Sequence, residues 1–143
     1  MQEIHILLVD DNEGDVLLTR EALNDARIIN RISVAYDGVE ALKFLRKQGP
    51  YFGSESPDLI LLDINLPRMD GKEVLSIIKN DPELKRIPVI MLTTSSSEKD
   101  IITSYDNHAN CYITKPVDLE RFMDVVRTIE DFWISIVKLP KYA

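Results

Sequence analysis

Two apolar patterns alternate along the chain. Ile4-His5-Ile6-Leu7-Leu8-Val9, Leu59-Ile60-Leu61-Leu62 and Val89-Ile90-Met91-Leu92 are nearly continuous apolar runs bounded by turn residues, the signature of strands buried on both faces. Arg31 to Tyr36, where Ile32 and Val34 alternate with Arg31, Ser33 and Ala35, reads as an edge strand with one wetter face, and Cys111 to Thr114 as a fifth strand. Between the strands the apolar spacing lengthens to three and four. A first helix, opened by Asn12 or Glu13, is predicted to about Arg27, with Val16, Leu17, Leu18, Ala22, Leu23 and Ala26 all assigned to the core. A second runs from Val39 to Lys47 and stops at Gly49-Pro50; a third spans Lys72 to Asn80. Ser95 and Glu98 have capping-box spacing for a fourth, to about Asp106, and Asp118 starts a last helix from Leu119 to about Val137. Five strands alternating with five helices predict a doubly wound α/β fold, a parallel sheet covered on both faces.

The 143 residues suit one domain, 1–143, with 119–143 as its last helix and tail. A net charge of −7 disfavours direct binding to nucleic acid or an anionic membrane and favours protein partners. The lone Cys111 leaves no intramolecular disulfide, and neither a membrane span nor a signal peptide is legible; a reducing cytoplasm is the expected setting. With His5 and His108 the only histidines, a histidine metal site is not expected. The connection from Pro50 to Pro57 exceeds the usual loop length and reads as a tolerated surface insertion, the alternative being a partner-holding loop.

Candidate chemistry collects at strand ends. The first strand ends in Asp10-Asp11 and the third in Asp63, so neighbouring strands would bring three carboxylates to the carboxyl edge of the sheet, where open α/β folds bind ligands. Such carboxylates repel unless one is protonated or a hard cation such as Mg²⁺ neutralises them. Thr93 and Lys115 end the fourth and fifth strands and would add a hydroxyl and an ammonium. An acid triad with these two groups describes a carboxylate nucleophile attacking phosphorus.

Asp10-Asp11, then Asp63 followed by a Leu-Pro-x-Met-Asp-Gly loop, then Thr93 and Lys115-Pro116, form an ordered set that resembles the response-regulator receiver domains of two-component signalling. The resemblance implies the strand order 2-1-3-4-5 and makes Asp63 the acceptor of a phosphoryl group from a sensor histidine kinase. It implies Mg²⁺ on Asp11, Asp63 and the backbone carbonyl of Asn65, with Asp10 acting through a water. Thr93 and Lys115 would bind the phosphoryl group, Tyr112 would be the switch aromatic, and the Lys115-Pro116 peptide would be cis. Asn12-Glu13-Gly14-Asp15, the Asp-Ile-Asn-Leu-Pro run, Cys111 to Val117 and Phe132-Trp133 are similar to stand-alone regulators paired with bacterial-phytochrome-type kinases.

Other functions fit less well. An aspartate-nucleophile phosphohydrolase wants an acid two residues after the nucleophile, where Asn65 stands; a flavodoxin-like flavin carrier wants a glycine- or hydroxyl-rich loop in place of Asp10-Asp11-Asn12. A constitutive pseudo-receiver would not need all five site residues. No turnover enzyme is expected beyond self-phosphorylation and dephosphorylation. Along the last helix, Phe122, Val126, Ile129, Trp133 and Ile136 share a stripe that Phe132 widens, which predicts an extended helix and a homodimer about a twofold axis. A chain folded back near Trp133 is the alternative.

Overall fold

A computed structural model describes residues 4–24, 29–94 and 111–132. Five parallel strands, β1 (Ile4–Val9), β2 (Ile29–Ala35), β3 (Leu59–Asp63), β4 (Val89–Thr93) and β5 (Cys111–Thr114), form one sheet in the order 2-1-3-4-5. Four helices lie among the described residues: α1 (Glu13–Asn24), α2 (Gly38–Leu45), α3 (Gly71–Asn80) and α4 (Leu119–Phe132). The helix expected from Glu98 to Asp106 falls outside them, as does the stretch from Trp133 onward. No helix among the described residues is long and apolar enough to cross a membrane.

Strand side chains alternate between two cores, as the pleat requires. Leu7, Val9, Ile60, Leu62, Val89 and Met91 pack with Ala41, Leu42 and Leu45 of α2 and Val74, Leu75 and Ile78 of α3. Ile6, Leu8, Leu59, Leu61, Ile90, Leu92 and Ile113 face the other way, against Val16 and Leu23 of α1 and Phe122 and Val126 of α4. The continuous apolar runs thus report a sheet covered on both sides.

The structure corrects two assignments. Leu17 and Leu18 are not core: α1 buries Val16, Thr19 and Leu23, while Leu17 and Leu18 are 57% and 51% exposed. A helix on a sheet presents one stripe inward, and consecutive residues 100° apart cannot all share it. Phe122 is no dimer contact, since it is fully buried against the chain's own sheet.

Element ends follow local chemistry. Asp37 caps α2 by accepting from the Glu40 N–H, and Asp70 caps α3 by accepting from the Glu73 N–H. Asn12 accepts from the Asp15 N–H at 2.9 Å, and Asp118 receives the Glu120 N–H at 2.8 Å. Helix α2 ends before its expected stop because Lys47 takes the left-handed conformation (φ 57°), and the Gln48 N–H then turns back to the Lys43 carbonyl. Strand β2 begins two residues earlier than expected and leaves Tyr36 outside.

The long connection after α2 is anchored on both sides. Tyr51, closing a 3₁₀ turn (Gly49–Tyr51), sets its ring edge-on to Phe44 and donates its hydroxyl to Glu40. Glu55 pairs with Arg31 of β2, and Phe52 stays 87% exposed. His5 is buried beneath, its Nε2 2.8 Å from Ser33 Oγ.

Candidate functional site

The chain passes from β1 outward to β2, then returns across β1 to β3, so the carboxyl ends of β1 and β3 flank the point where the winding reverses. Open α/β sheets leave a crevice there. Register fills it: Val9 pairs with Leu62, which brings Asp10 level with Asp63, while Asp63 pairs with Leu92 and Thr93 with Thr114. Asp10, Asp63, Thr93 and Lys115 therefore come to one edge from four strands. The Lys115 N–H donates to the Thr93 carbonyl at 2.8 Å, locking the last two ends together.

The residues differ in exposure. Asp10, Asp63 and Thr93 are buried, whereas Asp11 and Asn65 are exposed. Asp63 is presented by a tight turn in which the Asn65 N–H donates to its Oδ1 at 3.3 Å and the Gly71 N–H returns to the Ile64 carbonyl. A Cβ on Gly71 would lie 2.2 Å from the Asp63 carbonyl oxygen, so only glycine lets α3 start this close behind the carboxylate. The Lys115-Pro116 peptide is cis. Tyr112 is half-buried against the α2/α3 core and pairs in register with Met91 of β4.

Electrostatics converge on one ammonium. Lys115 Nζ lies 2.9 Å from Asp10 Oδ2, 3.0 Å from Asp15 Oδ2 and 3.1 Å from Asp63 Oδ2. Burial disfavours the Lys115 charge, but the pull of these three carboxylates together outweighs it and holds the ammonium above its ordinary range. At Asp63 burial wins: it raises the carboxyl from 3.8 to about 6, against the pull of Lys115 and with Asp10 adding to the rise. Asp15 is the participant that sequence reading missed; acids in a helix's first turn read as dipole partners, and its partner lies 100 residues downstream.

The donor set suits a hard cation. Oxygens of Asp10, Asp11 and Asp63 all lie within 4.8 Å of one another, and the buried Asp10 Oδ2 has no aligned hydrogen bond despite its ion contact with Lys115. Mg²⁺ typically takes one or two carboxylates, with water and phosphate oxygens completing the shell, and this cluster supplies them with Asp11 on its exposed side. Lysine opposite this set offers positive charge to an incoming phosphoryl group.

Comparison with known proteins places this geometry. The response regulator receiver domain family matches residues 6–127. The response regulator Rcp1 of Synechocystis sp. is 49% identical over 135 residues, covering 94% of this chain and 92% of Rcp1. The structure of Mn(2+)-bound Rcp1 superposes with a TM-score of 0.73 at 48% identity over 96% of this chain and 99% of that one. The bacteriophytochrome response regulator AtBRR superposes at 0.82, with 40% identity over 89% and 92% of the two chains. The phosphorylated cyanobacterial phytochrome response regulator RcpA superposes at 0.75, with 49% identity over 96% and 99%. With a paired-carboxylate crevice and lysine at the switch point of a 2-1-3-4-5 sheet, and with these likenesses across nearly its whole length, the chain belongs to the response-regulator receiver family.

Proposed function

We propose that this chain works as a stand-alone response regulator, a single receiver domain over 1–143, accepting a phosphoryl group on Asp63 from a phytochrome-type sensor histidine kinase. The observation that carries the reading is the buried Asp63 carboxylate, held within 3.1 Å of the Lys115 ammonium and open to the same crevice as Asp10 and Asp11. An oxygen of Asp63 attacks phosphorus, the bond from phosphorus to the donor breaks, and the donor leaves with the electron pair. Lys115 supplies charge to the transferred group and the Thr93 hydroxyl a hydrogen bond. Mg²⁺, held by Asp11, Asp63 and the Asn65 carbonyl with Asp10 through a water, would supply further positive charge at the phosphate oxygens. Relatives support both halves: Rcp1 has a Mn(2+)-bound form, and RcpA is a phosphorylated phytochrome response regulator.

Tyr112 then relays occupancy. When Thr93 is drawn toward the phosphoryl group it vacates space, Tyr112 turns inward, and the surface beside β5 and α4 changes. A full swing from 1:99 to 99:1 needs about 5.5 kcal/mol of preference for the active state. The output is a protein contact in the cytoplasm, consistent with the acidic balance. Exposed Leu17 and Leu18, on the helix leaving the crevice, give a protein donor an apolar hold.

Intact-mass spectrometry after incubation with acetyl phosphate tests the reading. One added phosphoryl group is expected with Mg²⁺, and none with EDTA or in Asp63→Asn. Undiminished phosphorylation of that variant contradicts it.

A further inference from the structure

We propose that Asp15 is a positioning residue for Lys115: it draws the ammonium toward the crevice mouth in the resting protein and gives it up to the phosphoryl group arriving on Asp63. The inference rests on Asp63 being the acceptor.

Three carboxylates compete for one ammonium, but they hold it differently. Lys115 donates aligned hydrogen bonds to Asp15 and Asp63, while its contact with Asp10 lacks that alignment. A phosphoryl group on Asp63 adds oxygens that demand the same ammonium, so one existing contact must be lost. Asp10 is fully buried, and without Lys115 its charge would lose its nearest neutralising partner. Asp63 carries the new group itself. Asp15 alone is partly exposed, with 38% of its side chain in solvent, so water replaces the lysine there at least expense. Its place in α1 does not require the bond either, because the backbone N–H of Asp15 is already capped by Asn12. During transfer from acetyl phosphate the Asp63 oxygen–phosphorus bond forms, the phosphorus–oxygen bond to acetate breaks, and acetate leaves with the electron pair. Lys115 keeps its protons throughout and only changes partner.

Removing the competitor therefore helps the reaction, the reverse of deleting a catalytic group. Asp15→Asn is expected to raise the acetyl phosphate phosphorylation rate about threefold, the scale of a half-exposed ion pair, and to tighten beryllofluoride binding with Mg²⁺ by a similar factor. In EDTA, with the variant folded by circular dichroism, reductive methylation of Lys115 mapped by mass spectrometry is expected to quicken as well. A double-mutant cycle separates release of Lys115 from the general effect of removing a negative charge near an anionic donor. In a Lys115→Ala background the Asp15→Asn gain should vanish. Equal acceleration in both backgrounds, or an unchanged or slower Asp15→Asn protein beside an active parent, overturns the proposal. A parent chain that acetyl phosphate does not modify on Asp63 removes the functional reading itself, and this inference with it.

Discussion

At Asp63 burial and charge pull in opposite directions, and the balance has a measurable sign. With its folded value raised from 3.8 to about 6, the metal-free native state keeps a proton that the unfolded chain has released between those limits. The stability this group contributes is full below 3.8 and is lost as pH rises through about 6, on the order of 2–3 kcal/mol. Urea unfolding in EDTA across that window should show the parent losing stability relative to Asp63→Asn as pH rises; a parent that gains on the variant contradicts the assignment. Gly71 makes a second residue-scale case, because a methyl group there meets the Asp63 backbone rather than a yielding side chain. Gly71→Ala should lower stability by about 1–3 kcal/mol in denaturant unfolding. Unchanged stability would mean that the α3 start can shift freely. Asp10, Asp11, Asp63, Thr93 and Lys115 were legible because each follows an apolar run, and the end of a run is a position in space once the sheet is known. Asp15 was not, since no local pattern ties a first-turn acid to a lysine at the other end of the chain.

At the scale of elements, strands read more truly than helices. A strand buried on both faces needs apolar residues at every position, so type and place coincide in Ile6 to Val9 and Leu59 to Leu62. A helix needs only a stripe, and α1 offers more apolar residues than its stripe holds, so assigning every one of them to the core wrongly buries Leu17 and Leu18. Helix α4 errs the other way. Its regular stripe reads as an interface, yet Phe122 and Val126 face the chain's own sheet. Phe122→Ala is expected to cost about 3–5 kcal/mol, independent of protein concentration. A loss that disappeared on dilution would instead mark a subunit contact.

For the whole molecule, length decides what the last helix has left to offer. Fourteen residues of α4 span about 21 Å, while strands of four to seven residues span roughly 13–24 Å, so a helix continuing to Val137 would overrun the sheet. Without Phe122, the proposed homodimer rests on Ile129, Phe132, Trp133 and Ile136, on side chains beyond those described. Sedimentation of the full chain against a truncation after Glu130, at micromolar concentration, should give a dimer and a monomer. Two monomers would assign the stripe to an intramolecular or kinase contact, and two dimers would move the interface elsewhere.

All of this depends on where the phosphoryl group goes. The most direct measurement is chemical: phosphorylate the chain with acetyl phosphate and Mg²⁺, reduce the acyl phosphate with borohydride, and map the resulting homoserine by peptide mass spectrometry. Conversion of Asp63 alone is the predicted result. Homoserine at Asp10 or Asp11, or a stable phosphoryl group on a serine or threonine with Asp63 untouched, would contradict the account.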